Sequence, residues 1–294
     1  MVKNVFKGMG IALVTPFTSD GEIDYRALEL LVELQIAEGT DFLCVLGTTA
    51  ETPCLSAEEK VKVKRFVVEK VAHRIPILLG CGGNNTSELV GEIKSADFTG
   101  IDGLLSVCPY YNKPSQEGLY QHFKAVAEAT DLPIVLYNVP GRTGVNLQAE
   151  TTLRLANDCE NVVAIKEASG NISQIGDILK NKSVDFDVLS GDDAITYELL
   201  MMGAVGVISV AANALPKQFG EMVHAAIDKN SDKALEIHQK FNELFKLLSV
   251  DGNPAGIKSL LGVMKKCENR LRLPLVSARI QTEDAIKKAL EVFE

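Results

Sequence analysis
The sequence predicts an α/β fold: a (β/α)8 barrel over residues 1–226 with a helical extension over 227–294. Two observations carry this. Eight short apolar runs alternate with longer segments of helical periodicity. The runs are continuous rather than alternating polar with apolar, as in parallel strands covered on both faces. An open doubly wound sheet is the rival, and it usually places a glycine-rich dinucleotide turn after its first strand. Here the first run ends in TPFTSDG, and the GCGGNN at the third does not fit G-x-G-x-x-G.

In order, the first run is GIALVTPF (10–17). Asp24 stands ahead of YRALELLVELQIAEG, whose apolar residues recur at helical spacing, and can cap that helix. FLCVLG (42–47) follows, then SAEEKVKVKRFVVEKVA, which opens with a capping-box pattern. The third and fourth runs are PILLGCG (76–82) and GLLSVCPY (103–110), and SQEGLYQHFKAVAEAT reads as the next helix. PIVLYNVP (133–140) and VVAIKEAS (162–169) are the fifth and sixth, with a helix at SQIGDILKN. FDVLSGDD (186–193) and GVISVAAN (206–213) complete the eight. The spacing of roughly 25 to 30 residues is one βα unit each. Beyond 227 the strands stop, and three helices are expected in DKALEIHQKFNELFKLLSV, NPAGIKSLLGVMKK and TEDAIKKALEVF.

The composition narrows the function. With 294 residues, 46% of them hydrophobic, the chain can bury a large core. A net charge of −9 repels phosphate backbones, so nucleic acid is not an expected partner. No apolar run reaches membrane-spanning length, and MVKNVFKGMG lacks the apolar stretch of a signal peptide. A soluble cytoplasmic protein is expected. Cys44, Cys81 and Cys108 lie in or beside apolar runs, where a thiol behaves as a small hydrophobe. No C-x-x-C pair or metal-ligand spacing occurs, so reduced core cysteines are expected.

In such a barrel the active site lies at the C-terminal ends of the strands. The polar residues closing the runs are Thr48 and Thr49, Tyr110, Tyr111 and Asn112, Tyr137 and Asn138, Lys166 and Glu167, and Gly191, Asp192 and Asp193. Side chains alternate along a strand, which puts Val162, Ala164, Lys166 and Ala168 on one face. If that face points inward, Lys166 projects into the barrel mouth among small neighbours. Burial disfavours the charged form of a lysine, and a neutral amine forms a Schiff base with a carbonyl. Tyr137 stands at the same distance from Pro133 as Lys166 from Val162, so adjacent strands can bring a phenol near the amine as a proton carrier. Alone, Lys166 reads equally as a lysine snorkelling outward, and Tyr137 as a core aromatic with a bonded hydroxyl. Together, with small residues around them, they point to catalysis. Glu167 is expected to face the helices as a structural acceptor. His73, His122, His224 and His238 all fall in helix-like segments, and one of Asp192 and Asp193 is expected to cap the next helix. No metal or cofactor is expected, because an imine itself serves as the electron sink.

The motifs GTTAE (47–51), PYYNKPSQEG (109–118), YNVPGRTG (137–144), IKEASG (165–170) and SGDD (190–193) resemble, in that order, the dihydrodipicolinate synthase family of class I pyruvate aldolases. The resemblance covers nearly the whole chain. It implies that Lys166 forms an imine with pyruvate, whose enamine attacks the aldehyde of aspartate 4-semialdehyde. It further implies a proton relay of Thr48, Tyr137 and Tyr111, with Tyr111 crossing from a neighbouring subunit. Thr49 would bind the pyruvate carboxylate, the backbone at Gly191 and Ile208 would line the pyruvate pocket, and Arg142 would hold the semialdehyde carboxylate. An arginine fork suits a carboxylate, and threonines at a turn supply donors to one. A homotetramer built from tight dimers is implied as well.

Some relatives are inhibited by lysine at the dimer interface. By resemblance that site would use Thr52, Pro53, Ala57, Lys60, Asn84, Glu88 and Tyr110. Lys60 replaces the histidine or acid of sensitive members, and a cation there repels an ammonium. Two rival readings stand beside the main one. One is a sister aldolase or lyase, such as N-acetylneuraminate lyase or ketodeoxygluconate aldolase, against which Arg142 and PYYNKP argue. The other is a silent barrel that only binds a keto acid, against which the retained lysine, tyrosines and threonines argue.

Overall fold
The computed structural model describes residues 4–293. Its strands are β1 (Gly8–Ala12), β2 (Phe42–Val45), β3 (Ile77–Gly80), β4 (Gly103–Val107), β5 (Ile134–Asn138), β6 (Val162–Glu167), β7 (Asp187–Ser190) and β8 (Gly206–Ser209). They close into one barrel in sequence order, every pair parallel. Helices α1 (Tyr25–Ala37), α2 (Ala57–Val71), α3 (Thr86–Ser95) and α4 (Gln116–Ala127) follow the first four strands. After β5 come the short α5 (Pro140–Thr143) and α6 (Ala149–Asp158). Helices α7 (Ile172–Asn181), α8 (Thr196–Met202) and α9 (Pro216–Ile227) follow β6, β7 and β8. The barrel and its helix ring are those expected.

Local chemistry starts the helices where the sequence places its caps. Asp24 accepts from the Ala27 N–H at 2.9 Å. Ser56 and Glu59 complete both arms of a capping box on α2. Two of the histidine and strand-face expectations need correction. His73 lies beyond the end of α2, in a turn, with φ 59°. Val162 packs in the layer between strands and helices, whereas Val163 and Ala164 both belong to the barrel interior. The cause is a register shift in the β5–β6 ladder. Ile134 is paired with Val162, but Val135 with Ala164 and Tyr137 with Lys166. Val163 is the extra residue of this irregularity, and it rephases the strand so that Lys166 turns inward.

Beyond the barrel lie α10 (Ser231–Val250), α11 (Ala255–Val263) and α12 (Ile280–Leu290). The apolar face of α10 buries Phe241, Leu244, Phe245 and Leu248. Phe241 and Phe245 meet Phe219 of α9 edge-on, at ring separations of 5.4 and 6.0 Å. Phe245, Leu248, Ser249 and Asn253 reach over the C-terminal mouth of the barrel and help to wall the cavity there. All six cysteines are free thiols. Among the described residues no helix is long and apolar enough to cross a membrane.

Candidate active site
A cavity of about 240 Å³ opens at the C-terminal strand ends. Thr49, Tyr137, Arg142, Lys166 and Gly191 share its wall. A larger cavity of about 680 Å³ lies at the opposite end, beside Gly8 at the start of β1 and Val205 just before β8, with a mostly aliphatic wall. Lys7 and Lys229 line it, but none of the strand-end residues does.

Lys166 is the central group. It is 5% exposed, and its Nζ lies 4.4 Å from the centre of the Tyr137 ring. The two are direct neighbours across the β5–β6 ladder, which fixes them at the same depth. The amine therefore meets the ring face, with Ala164 and Leu189 in the inner layer below and Ala168 on the cavity wall. Gly191 has a steric reason to be glycine: a Cβ there would come within 2.9 Å of Lys166 Cε and 2.8 Å of Ala168 Cβ. Its N–H donates to the Glu167 carbonyl at 2.7 Å, holding the β7 turn against the lysine strand.

Glu167 points the other way, into the helix layer, fully buried. Its carboxylate accepts from Asn138 Nδ2 at 3.0 Å and Gln174 Nε2 at 2.9 Å. Burial pushes its pKa up while those donors and Ser169 pull it down. This is the structural acceptor expected.

Thr49 is 2% exposed, and its Oγ1 accepts from Asn253 Nδ2 at 2.9 Å. Thr48 begins the same turn, Thr48–Ala50, but does not line the cavity. Arg142 projects from α5 and donates from Nη2 to the Asn253 carbonyl at 3.1 Å. Asn253 thus touches both, and the sequence reading missed it. Its signal was slight, an Asn-Pro turn dipeptide between two apolar helices. Its Oδ1 is buried with no hydrogen-bond partner among the described residues.

Other expected residues lie elsewhere. Ile208 is buried in the inner cluster of the barrel. Tyr111 is 89% exposed and outside the cavity, with φ 74°, a strained conformation for a residue with a Cβ. Its N–H donates to the Thr143 carbonyl at 3.3 Å, which sets it beside α5. Asn84 Nδ2 donates to the Tyr110 carbonyl at 3.0 Å, so these two meet, while Lys60 and Glu88 stand on α2 and α3.

The adjacent aspartates divide their work. Asp192 caps the turn after β7, accepting from the Ala194 N–H at 3.0 Å. Asp193 reaches across to the β8 turn, where Oδ2 accepts from the Val210 and Ala211 N–H groups at 3.0 and 2.7 Å. Burial pushes the Asp193 carboxyl up to about 6, against the pull of those donors. A raised value means that the folded chain holds this proton more tightly than the unfolded one. Its contribution is therefore complete below about pH 4 and is lost as pH rises through about 6. Asp193→Asn should remove that slope, so the wild type loses stability relative to the variant across this window. Urea midpoints of both proteins from pH 4 to 7 measure it, and a constant difference contradicts the assignment.

Comparisons with known proteins place the whole chain among known sequences and structures. A sequence profile of the dihydrodipicolinate synthetase family matches residues 5–293. A 4-hydroxy-tetrahydrodipicolinate synthase of Phocaeicola vulgatus is 60% identical over 99% of this chain and 98% of its own. The crystal structure of dihydrodipicolinate synthase from Aquifex aeolicus superposes with a TM-score of 0.94 at 43% identity, covering 98% of both chains. That of Acinetobacter baumannii, complexed with pyruvate, gives 0.95 at 41% identity over 98% of this chain and 99% of that one.

Proposed function
We infer the function from one premise: the chain belongs to the dihydrodipicolinate synthetase family. It is an enzyme of the Schiff-base aldolase type, condensing pyruvate with L-aspartate 4-semialdehyde as a 4-hydroxy-tetrahydrodipicolinate synthase in the diaminopimelate route to lysine. Relatives 58 to 60% identical to this chain over nearly its whole length carry that name.

Lys166 is the nucleophile. The observation that carries this is a lysine 5% exposed, on the wall of a cavity it shares with Thr49 and Arg142. The Nζ lone pair attacks the ketone carbon of pyruvate, and loss of water gives the imine. Loss of a methyl proton then gives the enamine, whose terminal carbon bonds to the aldehyde carbon of the semialdehyde. The semialdehyde's own amino group displaces Lys166 by transimination, closing the ring and freeing the amine. Tyr137, Thr48 and Tyr111 carry the protons, with Tyr111 supplied by a second copy of the chain; its exposure and strained backbone support that role. Thr49 and the backbone at Gly191 and Ile208 receive pyruvate. Arg142, with its guanidinium only partly engaged by Asn253, takes the semialdehyde carboxylate.

Borohydride trapping with pyruvate, followed by peptide mapping, tests the assignment. One adduct on Lys166 is expected, and an adduct elsewhere or none overturns it. Turnover of the trapped species' precursor with aspartate semialdehyde but not with sugar aldehydes separates this reaction from a lyase.

The chain assembles as a homotetramer, a dimer of tight dimers, and works in the reducing cytoplasm, which keeps its six cysteines as thiols. Sedimentation that finds only a monomer would refute the assembly. At the interface site formed with Asn84, Glu88 and Tyr110, Lys60 opposes a second ammonium. Millimolar lysine should therefore leave turnover little changed, and strong inhibition in that assay would contradict this.

A further inference from the structure
We propose that Glu51 and Lys258 are positioning residues, a buried ion pair through which the C-terminal extension sets the place of the Thr48–Ala50 turn. This rests on the reading that Thr48 and Thr49 serve the reaction.

Both side chains are fully buried, and Lys258 Nζ meets Glu51 Oε1 directly. Glu51 closes the turn: its N–H donates to the Thr48 carbonyl at 3.1 Å. Its backbone is left-handed, with φ 55°, as is that of Leu46 on the other side of the turn, with φ 57°. A turn flanked by two such residues has no local preference for its shape and must be held from outside. The holding groups come from the extension. Glu51 Oε2 accepts from the Arg272 N–H at 3.0 Å, and Lys258 Nζ donates to the Arg270 carbonyl at 2.8 Å. The Phe17 ring packs against both cations, with Lys258 Nζ at 4.0 Å and Arg272 Cζ at 4.5 Å from its centre. The Arg272 guanidinium forks onto Glu59, with bonds of 2.6 and 2.9 Å, and so reaches the capping box of α2. Asn253, just before α11, bonds the Thr49 hydroxyl itself.

A buried ion pair is a poor way to gain stability, because desolvating two charges cancels most of their attraction. Here burial pushes the Lys258 pKa down, and the Glu51 charge opposes that shift. Apolar side chains would fill the same space at no electrostatic penalty. What the pair supplies is a fixed length and direction between α11 and the turn that carries the two threonines.

The double variant Glu51→Gln/Lys258→Met separates anchoring from folding, since removing both charges together leaves neither one buried without its partner. Its thermal midpoint should stay near that of the wild type. Its kcat/KM for pyruvate should fall about ten- to a hundredfold, as expected for displaced catalytic groups. Borohydride with saturating pyruvate should still label Lys166 fully but more slowly. Wild-type kcat and KM in the double variant overturn the proposal, and so does a loss no larger than its unfolded fraction. Should the double variant fail to fold, Lys258→Arg keeps the charge and moves the anchor; a folded Lys258→Arg with unchanged kcat overturns the proposal equally. Absence of any Lys166 adduct in the wild type would instead remove the reaction assigned to the site.

Discussion
Lys166→Ala should lower kcat by about four to six orders of magnitude, the range expected when a covalent nucleophile is removed. The substitution takes away the amine proposed to bond pyruvate and leaves Thr49, Arg142 and the turn at Gly191 in place. Pyruvate should still bind, but without a covalent link it cannot pass to an enamine. Stability should move the other way. The side chain is 5% exposed and its amine faces an aromatic ring, so deletion relieves a desolvated polar group. A thermal midpoint that holds or rises while turnover vanishes is the expected pair of results. Steady-state kinetics and mass spectrometry after borohydride measure both halves. Residual turnover within about a hundredfold of the wild type would mean that the bond to pyruvate forms elsewhere or not at all.

Tyr137→Phe should cost about 10²- to 10⁴-fold in kcat, the usual range for a positioned acid–base group. Phenylalanine keeps the ring beneath the amine, at the 4.4 Å separation seen here, and removes only the hydroxyl. The variant therefore distinguishes packing from proton transfer. Imine formation should slow, because the carbinolamine needs a proton on its departing oxygen. The endpoint of trapping should stay at one adduct per chain. A variant retaining more than about a tenth of wild-type kcat would reduce Tyr137 to a platform for the lysine.

The barrel was legible because its signals are local. Each apolar run ends within a few residues of the observed strand, and Asp24 and Ser56 cap the helices that they precede. The pairing of Tyr137 with Lys166 was legible too, although the counting behind it was right only in the upper half of the ladder. Below, Val162 pairs with Ile134 and not Pro133, because no sequence pattern announced the extra residue at Val163. Asn253 and the Glu51–Lys258 pair were not legible, since each joins segments far apart in the chain. Lys258 did leave a trace, a lone cation inside the apolar helix AGIKSLLGV, where a lysine is seldom buried without a partner. Tyr111 shows only a strained backbone and exposure in a single chain.

The displaced register at Val163 has a consequence for anyone moving this chemistry into another scaffold. Laid out as an unbroken pleat from Val162, the same residues would aim Ile165 at the barrel axis and Lys166 at the surrounding helices. A transplanted sixth strand would then carry the right letters and present its amine to the wrong compartment. The graft must copy the irregularity with the lysine, or drop one residue below it.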